Sequence, residues 1–164
     1  MITDQHVLDG IIESFKKIDG CLPTNIMGIK DLNSKHLFCS KYYLNLLKLE
    51  ESDIKDKVVI NNYVEKISNQ LIIEEDQYVI SKKKHRSYIL ITNFNNQHIP
   101  RLVIKNPLIN PDSNNVIGIF YQIFEMDSLN FQNYLLESYN LIDDKKNINK
   151  YVNLSKREKQ VIFF

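Results

Sequence analysis

The sequence predicts an α+β fold, a five-stranded antiparallel sheet with small helices on one face and flanking N- and C-terminal helices. Three observations carry that prediction. An amphipathic helix opens the chain, five short apolar stretches are separated by turn-forming residues, and the last stretch is apolar on both of its alternating sides.

The opening helix is marked by Val7, Leu8, Ile11, Ile12, Phe15 and Ile18, which recur at helical spacing. Thr3 or Asp4 caps its start, and Gly20 stands where a helix ends. Its single apolar face requires a cover. After Pro23, "NIMGIKDL" and "KHLFCS" flank the turn-favouring pair Asn33-Ser34 and read as a hairpin. "SKYYLNLLKL" reads as a short helix capped by Ser40, and "ESDIKDKV" as one more helical turn. Tyr63, Val64, Ile67, Leu71 and Ile72 mark a longer helix between Asn61 and Ser81.

"SYILITNF" and "HIPRLVIK" flank Asn95-Asn96, a pair that tolerates the positive φ of a tight hairpin. A two-residue turn there sets Asn93 opposite His98 and Asn106 opposite His85. "NPDSN" is a second turn, with Pro111 preset for it. "NVIGIFYQIFE" is the last strand. Its alternating sets, Ile117/Ile119/Tyr121/Ile123 and Val116/Phe120/Phe124, are both apolar, so both faces are expected to be buried. The small helices cover one face, and the opening helix is the candidate lid for the other. From Asp127 to Asp144, Phe131, Leu135, Tyr139 and Ile142 return to helical spacing, and the polar run "DDKKNINK" follows as a linker.

A length of 164 residues suits one domain, and 43% hydrophobic with 25% charged residues suits an ordinary globular chain. The net charge of +1 lacks the basic footprint of a chain that grips nucleic acid along its surface. Two cysteines, Cys21 and Cys39, are too few for a disulfide scaffold, which points to a reducing cytoplasm. The acidic N-terminus is unlike a signal peptide, and no run approaches 18 uninterrupted apolar residues, so no membrane span is expected.

The element order resembles a PAS domain, and particular residues carry the resemblance. "GIKDLNSKHLFCSKYYLNLLKL" is similar to the family's first hairpin and helix. "KNPLINPDSNNVIGIFYQIFEMDS" is similar to its last two strands, with Pro107 before the turn, Val116 and Gly118 after it, and Asp127-Ser128 at the end. Leu129 stands where the family often has Thr. The tail resembles the opening of a LuxR-type helix-turn-helix domain through Leu154, Ser155, Arg157, Glu158 and Val161, with Ser155 and Glu158 forming a capping box. The resemblance implies an N-terminal flanking helix at 1–21, a PAS-like sensor domain at 22–128, a connecting helix and linker at 129–153, and the start of a helix-turn-helix at 154–164.

The implied function is that of a sensory domain of a bacterial transcriptional regulator, in which a small ligand or a partner sets the geometry of a homodimer and hence DNA binding. DNA would be met only through a helix-turn-helix continuing past Phe164. The alternative is a ligand-free dimerisation module with a solid interior. No catalytic constellation of carboxylates or histidines is legible, so no enzymatic activity is expected. Alternation along the strands selects Ile29, Phe38, Tyr43, Leu46, Ile89, Ile91, Leu102, Ile104, Ile119 and Tyr121 as the hypothetical ligand pocket, with Tyr43 and Tyr121 as its polar members.

Cofactors are disfavoured on the same grounds. The reactive-cysteine motif of flavin-binding PAS domains is missing, and the helix at 61–81 lacks the histidine that haem-binding ones use. His36 and Cys39 form H-x-x-C, but positions three apart on a regular strand face opposite ways, so no metal site is expected. Cys39 and Cys21 read as unactivated thiols, and "SKKKHR" at 81–86 as a solvated basic loop.

Overall fold

The computed structural model describes residues 3–22, 24–58, 66–94 and 97–126. The expected connecting helix, the linker and the helix-turn-helix start at Leu154, Ser155, Arg157, Glu158 and Val161 lie outside the described residues, as does the Asn95-Asn96 turn.

Helix α1 spans Asp4–Asp19, with the Thr3 hydroxyl accepting a hydrogen bond from the His6 amide as its N-cap. The hairpin strands are β1 (Ile26–Lys30) and β2 (His36–Cys39). Their turn is held by the Asp31 carboxylate, which accepts from the amides of Asn33 and Lys35. Ser34 takes the left-handed conformation there. Ser40 caps α2 (Lys41–Leu47), and Glu50 with Asp53 closes a capping box on α3 (Glu51–Ile54). Helix α4 covers Lys66–Lys82. The long strands β3 (Arg86–Phe94), β4 (Gln97–Ile109) and β5 (Val116–Glu125) follow.

The five strands form one antiparallel sheet in the order β2-β1-β5-β4-β3. Asn93 pairs with His98, as the two-residue turn requires. Strand β1, between β2 and β5, is buried at all five positions.

Helix α1 is the lid on one face, called here the outer face. Leu8 packs with Met27, Ile29, Phe38 and Ile117, and Val7, Ile11, Ile12 and Phe15 complete the cluster. Phe15 stacks on Phe120 with ring centroids 4.7 Å apart. Burying each such side chain contributes about 1.5–3 kcal/mol. Both ends of α1 are also tied down. The Asp4 carboxylate accepts from Asn110 Nδ2, Ser113 Oγ and Asn115 Nδ2 of the β4–β5 turn, and Asp19 Oδ2 accepts from the Lys41 amide at the start of α2. The other, inner face lies under α2, α3 and α4.

Two bulges alter the expected alternation. In β2, Phe38 pairs with Ile29 but His36 pairs with Lys30, so Leu37 is an extra residue. His36 and Cys39, expected on opposite faces, therefore both point inward, with Nδ1 and Sγ 3.5 Å apart. In β5, Gly118 pairs with Leu108 and Val116 with Ile109, so Ile117 is bulged and joins the α1 cluster instead of the Ile119/Tyr121 set. Burial of β5 also stops short of its end: Phe124 is 44% exposed, beyond the footprint of α1.

Candidate functional site

The inner face holds a polar cluster inside an apolar frame. Its first part comes from β1, β4 and α4. Lys30 and Lys105 project from neighbouring strands of β5 onto Asp76 of α4, which takes Lys30 Nζ on Oδ2 at 2.9 Å and Lys105 Nζ on Oδ1. Lys105 Nζ also donates to the Ile72 carbonyl at 2.9 Å. Relative exposures of 4% for Lys30, 2% for Lys105 and 0% for Asp76 make this a buried ion triad. Lys105 lies 5.3 Å from the centre of the Tyr88 ring, and Lys30 lies 5.9 Å from that of Tyr121.

The second part is a triangle built by the β2 bulge. Tyr121 Oη is 3.1 Å from Cys39 Sγ and 3.3 Å from His36 Nδ1. Tyr121 crosses β1 to reach them, and it can do so because its pairing partner there is Gly28. A Cβ at position 28 would lie 2.5 Å from Tyr121 Cζ and 2.6 Å from the Phe38 carbonyl oxygen. Tyr43 of α2 meets the Tyr121 ring edge-on, and Ile54, Leu44, Leu49 and Ile123 close around the group.

Burial sets the electrostatics. Desolvation, then the positive charges of Lys30 and Lys105, hold the His36 imidazole well below its ordinary pKa, so it is neutral near pH 7. Burial pushes the Cys39 thiol up to about 12, against a hydrogen bond from Tyr121. Tyr43, Tyr88 and Tyr121 are all raised, chiefly by desolvation. Burial lowers Lys105 to about 8, with Asp76 opposing the fall and Lys30 adding to it. The cluster thus offers neutral hydroxyl, thiol and imidazole groups beside two cations. Cys39 is too protonated to act as a nucleophile. Among the described residues, no group of three or more His, Cys, Asp or Glu side chains could hold a metal ion.

The ten residues selected by alternation divide between the two faces. Tyr43, Ile119 and Tyr121 are on the inner side, and Leu46 is half-buried on α2. Ile29 and Phe38 belong to the α1 cluster on the outer face. Lys105 and Val103 point inward from β4, so Leu102 and Ile104 point outward. Tyr88 points inward from β3, so Ile89 points outward. Ile91 is placed by its pairing with Pro100. The slip by one position exchanges Ile89 of β3 and the β4 pair Leu102 and Ile104. What the periodicity missed is Lys30, Asp76 and Lys105. A signal existed: Asp76 interrupts the apolar helical spacing of Ile72 and Val79, and each lysine ends an apolar strand run.

A five-stranded antiparallel sheet with small helices on its inner face and an N-terminal helix on its outer face is the PAS-like α+β fold. Solved structures with this architecture are similar to the chain. The phage VqmA–DPO complex superposes with a TM-score of 0.62 at 20% identity, covering 95% of this chain and 66% of that one. The PAS domain of BvgS from Bordetella pertussis gives 0.62 at 14% identity over 82% of this chain and 98% of that one. VqmA bound to DPO gives 0.57 at 16% identity over 73% of this chain, which spans 60% of that protein's length. No protein-family model and no curated protein matches the sequence. Among the described residues, no helix is long and apolar enough to cross a membrane.

Proposed function

We propose that this chain is the sensory PAS domain of a transcriptional regulator, binding a small molecule between the inner sheet face and α2–α4. The observation that carries the proposal is the polar cluster of Lys30, Lys105, Tyr121, His36 and Cys39 in an apolar interior. A core built only for stability has little use for two buried cations, since well-packed apolar side chains do as well or better. The reading is supported by the similarity to VqmA bound to DPO and to a VqmA dimer studied for the DNA-binding mechanisms of LuxR-type receptors. The tail residues Leu154 to Val161 agree with a helix-turn-helix start. Ligand binding would act on DNA affinity through homodimer geometry. The setting would be the cytoplasm, and no chemical step on the ligand is proposed.

Native mass spectrometry of protein purified from cells tests the reading. A reproducible mass increment, lost on denaturation, is the expected result; bare protein together with failure to bind any small molecule overturns it. One observation favours the ligand-free dimerisation module instead: Cys39, His36 and Tyr121 already satisfy one another. That module predicts a dimer whose stability no small molecule changes.

A further inference from the structure

We infer that the ligand group recognised on the inner face is an anionic oxygen, a carboxylate or enolate, held by the ammonium of Lys30. The inference rests on the sensor reading and names the ligand class.

The first support is charge. Two buried cations share one buried carboxylate, which leaves the triad one positive charge in excess. The remaining groups around it do not offset that charge. Tyr88, Tyr121, Cys39 and His36 are neutral near pH 7. Glu75, the next carboxylate on α4, also acts on Lys105, but Arg86 pairs with it at 2.6 Å, so the Glu75–Arg86 pair adds no net negative charge. Further along β4, Arg101 adds a third buried cation on the same face, paired with Glu125 at the rim. Excess charge in a low-dielectric interior is costly unless it is matched.

The second support is hydrogen-bonding capacity. An ammonium has three N–H donors. Lys105 uses two of its donors, on Asp76 and on the Ile72 carbonyl. Among the described residues, Lys30 spends only one, on Asp76. Lys30 is as buried as its partners, and its Nζ lies 5.9 Å from the centre of the Tyr121 ring, whose hydroxyl belongs to the tyrosine–histidine–cysteine triangle. An anionic oxygen there gains charge-assisted bonds from Lys30. The tyrosine hydroxyl is within the same neighbourhood and is kept protonated, hence able to donate.

The test uses matched probes and the full chain. Benzoate and hexanoate are compared with benzamide and hexanamide by ligand-observed NMR and by shift of the thermal midpoint. Binding of the acids without the amides is expected, with the acid affinity falling at least about tenfold in Lys30→Met, the loss of one charged hydrogen bond. Lys30→Met removes the excess charge and leaves a one-to-one pair, so it should fold; Lys30→Gln serves as a second variant, and the thermal midpoint of each checks folding. Amides binding as well as acids, or acids binding Lys30→Met unchanged, overturns the anion inference and leaves the sensor reading standing. Binding of neither class overturns the anion inference, and if native mass spectrometry also shows bare protein, it overturns the sensor reading too.

Discussion

Gly28 and Tyr121 face each other across the β1–β5 pair, and the tyrosine ring fills the space that any side chain at position 28 would need. The glycine is required by this close approach rather than by its backbone conformation, since no glycine among the described residues has a positive φ. Through it, a residue of β5 reaches over β1 to bond Cys39 and His36 of β2.

Gly28→Ala therefore overpacks the inner face and is expected to lower stability by about 1–3 kcal/mol. Urea denaturation measures the loss. Combining it with Tyr121→Leu, which vacates the space, should cost less than the sum of the two single changes. Strict additivity would mean that the glycine and the tyrosine do not constrain each other.

Asp76→Ala strands two buried lysines and is expected to cost about 3–5 kcal/mol, the usual penalty for breaking a buried ion pair. Replacing all three members, as Lys30→Met, Asp76→Leu and Lys105→Met together, should restore much of the loss. Equilibrium unfolding of the single and triple variants decides the matter. A harmless Asp76→Ala would show that the triad is not held as described.

Lys105 makes stability depend on pH in a defined direction. Its folded value of about 8 lies below the ordinary 10.5, so the unfolded chain binds more protons between those limits. Stability from this group rises with pH through that window. Cys39 acts the other way: its thiol, raised from 9.0 to about 12, favours the folded state less as pH climbs beyond 9.0. The difference in unfolding free energy between the wild type and Lys105→Met should therefore grow in favour of the wild type from pH 8 to 9. A flat difference would contradict a desolvated lysine.

The two thiols should react at very different rates. Cys21 is exposed, whereas Cys39 is buried and protonated. Iodoacetamide at pH 8 is expected to add one label quickly, on Cys21, and the second only in denaturant. Peptide mapping by mass spectrometry assigns the sites. Rapid labelling of Cys39 in the native protein would mean that the inner face is open to solvent.

Most of the fold was legible in the sequence. The helical spacing from Val7 to Ile18, the cap at Ser40, the hairpin pairing of Asn93 with His98 and the turn at Pro111 are all local signals, and the structure follows them. The lid role of α1 followed from its single apolar face together with the doubly apolar β5. The candidate site was much less legible. Alternation along the strands places Ile29, Phe38, Ile89, Leu102 and Ile104 on the inner face, whereas they lie on the outer one. Apolar residues occupy both faces of the central strands, so hydrophobicity does not say which face is which.

The sequence by itself determined the kind and order of the elements, because helix and strand periods and turn chemistry act over a few neighbouring residues. Only the tertiary structure decided which side chains meet. A strand has a side-chain period of two, so the single extra residue Leu37 turns His36 to the same side as Cys39. Likewise, Asp76 meets Lys30 and Lys105 only when α4 settles across the sheet, and buried charges so far apart in the chain are brought together by packing.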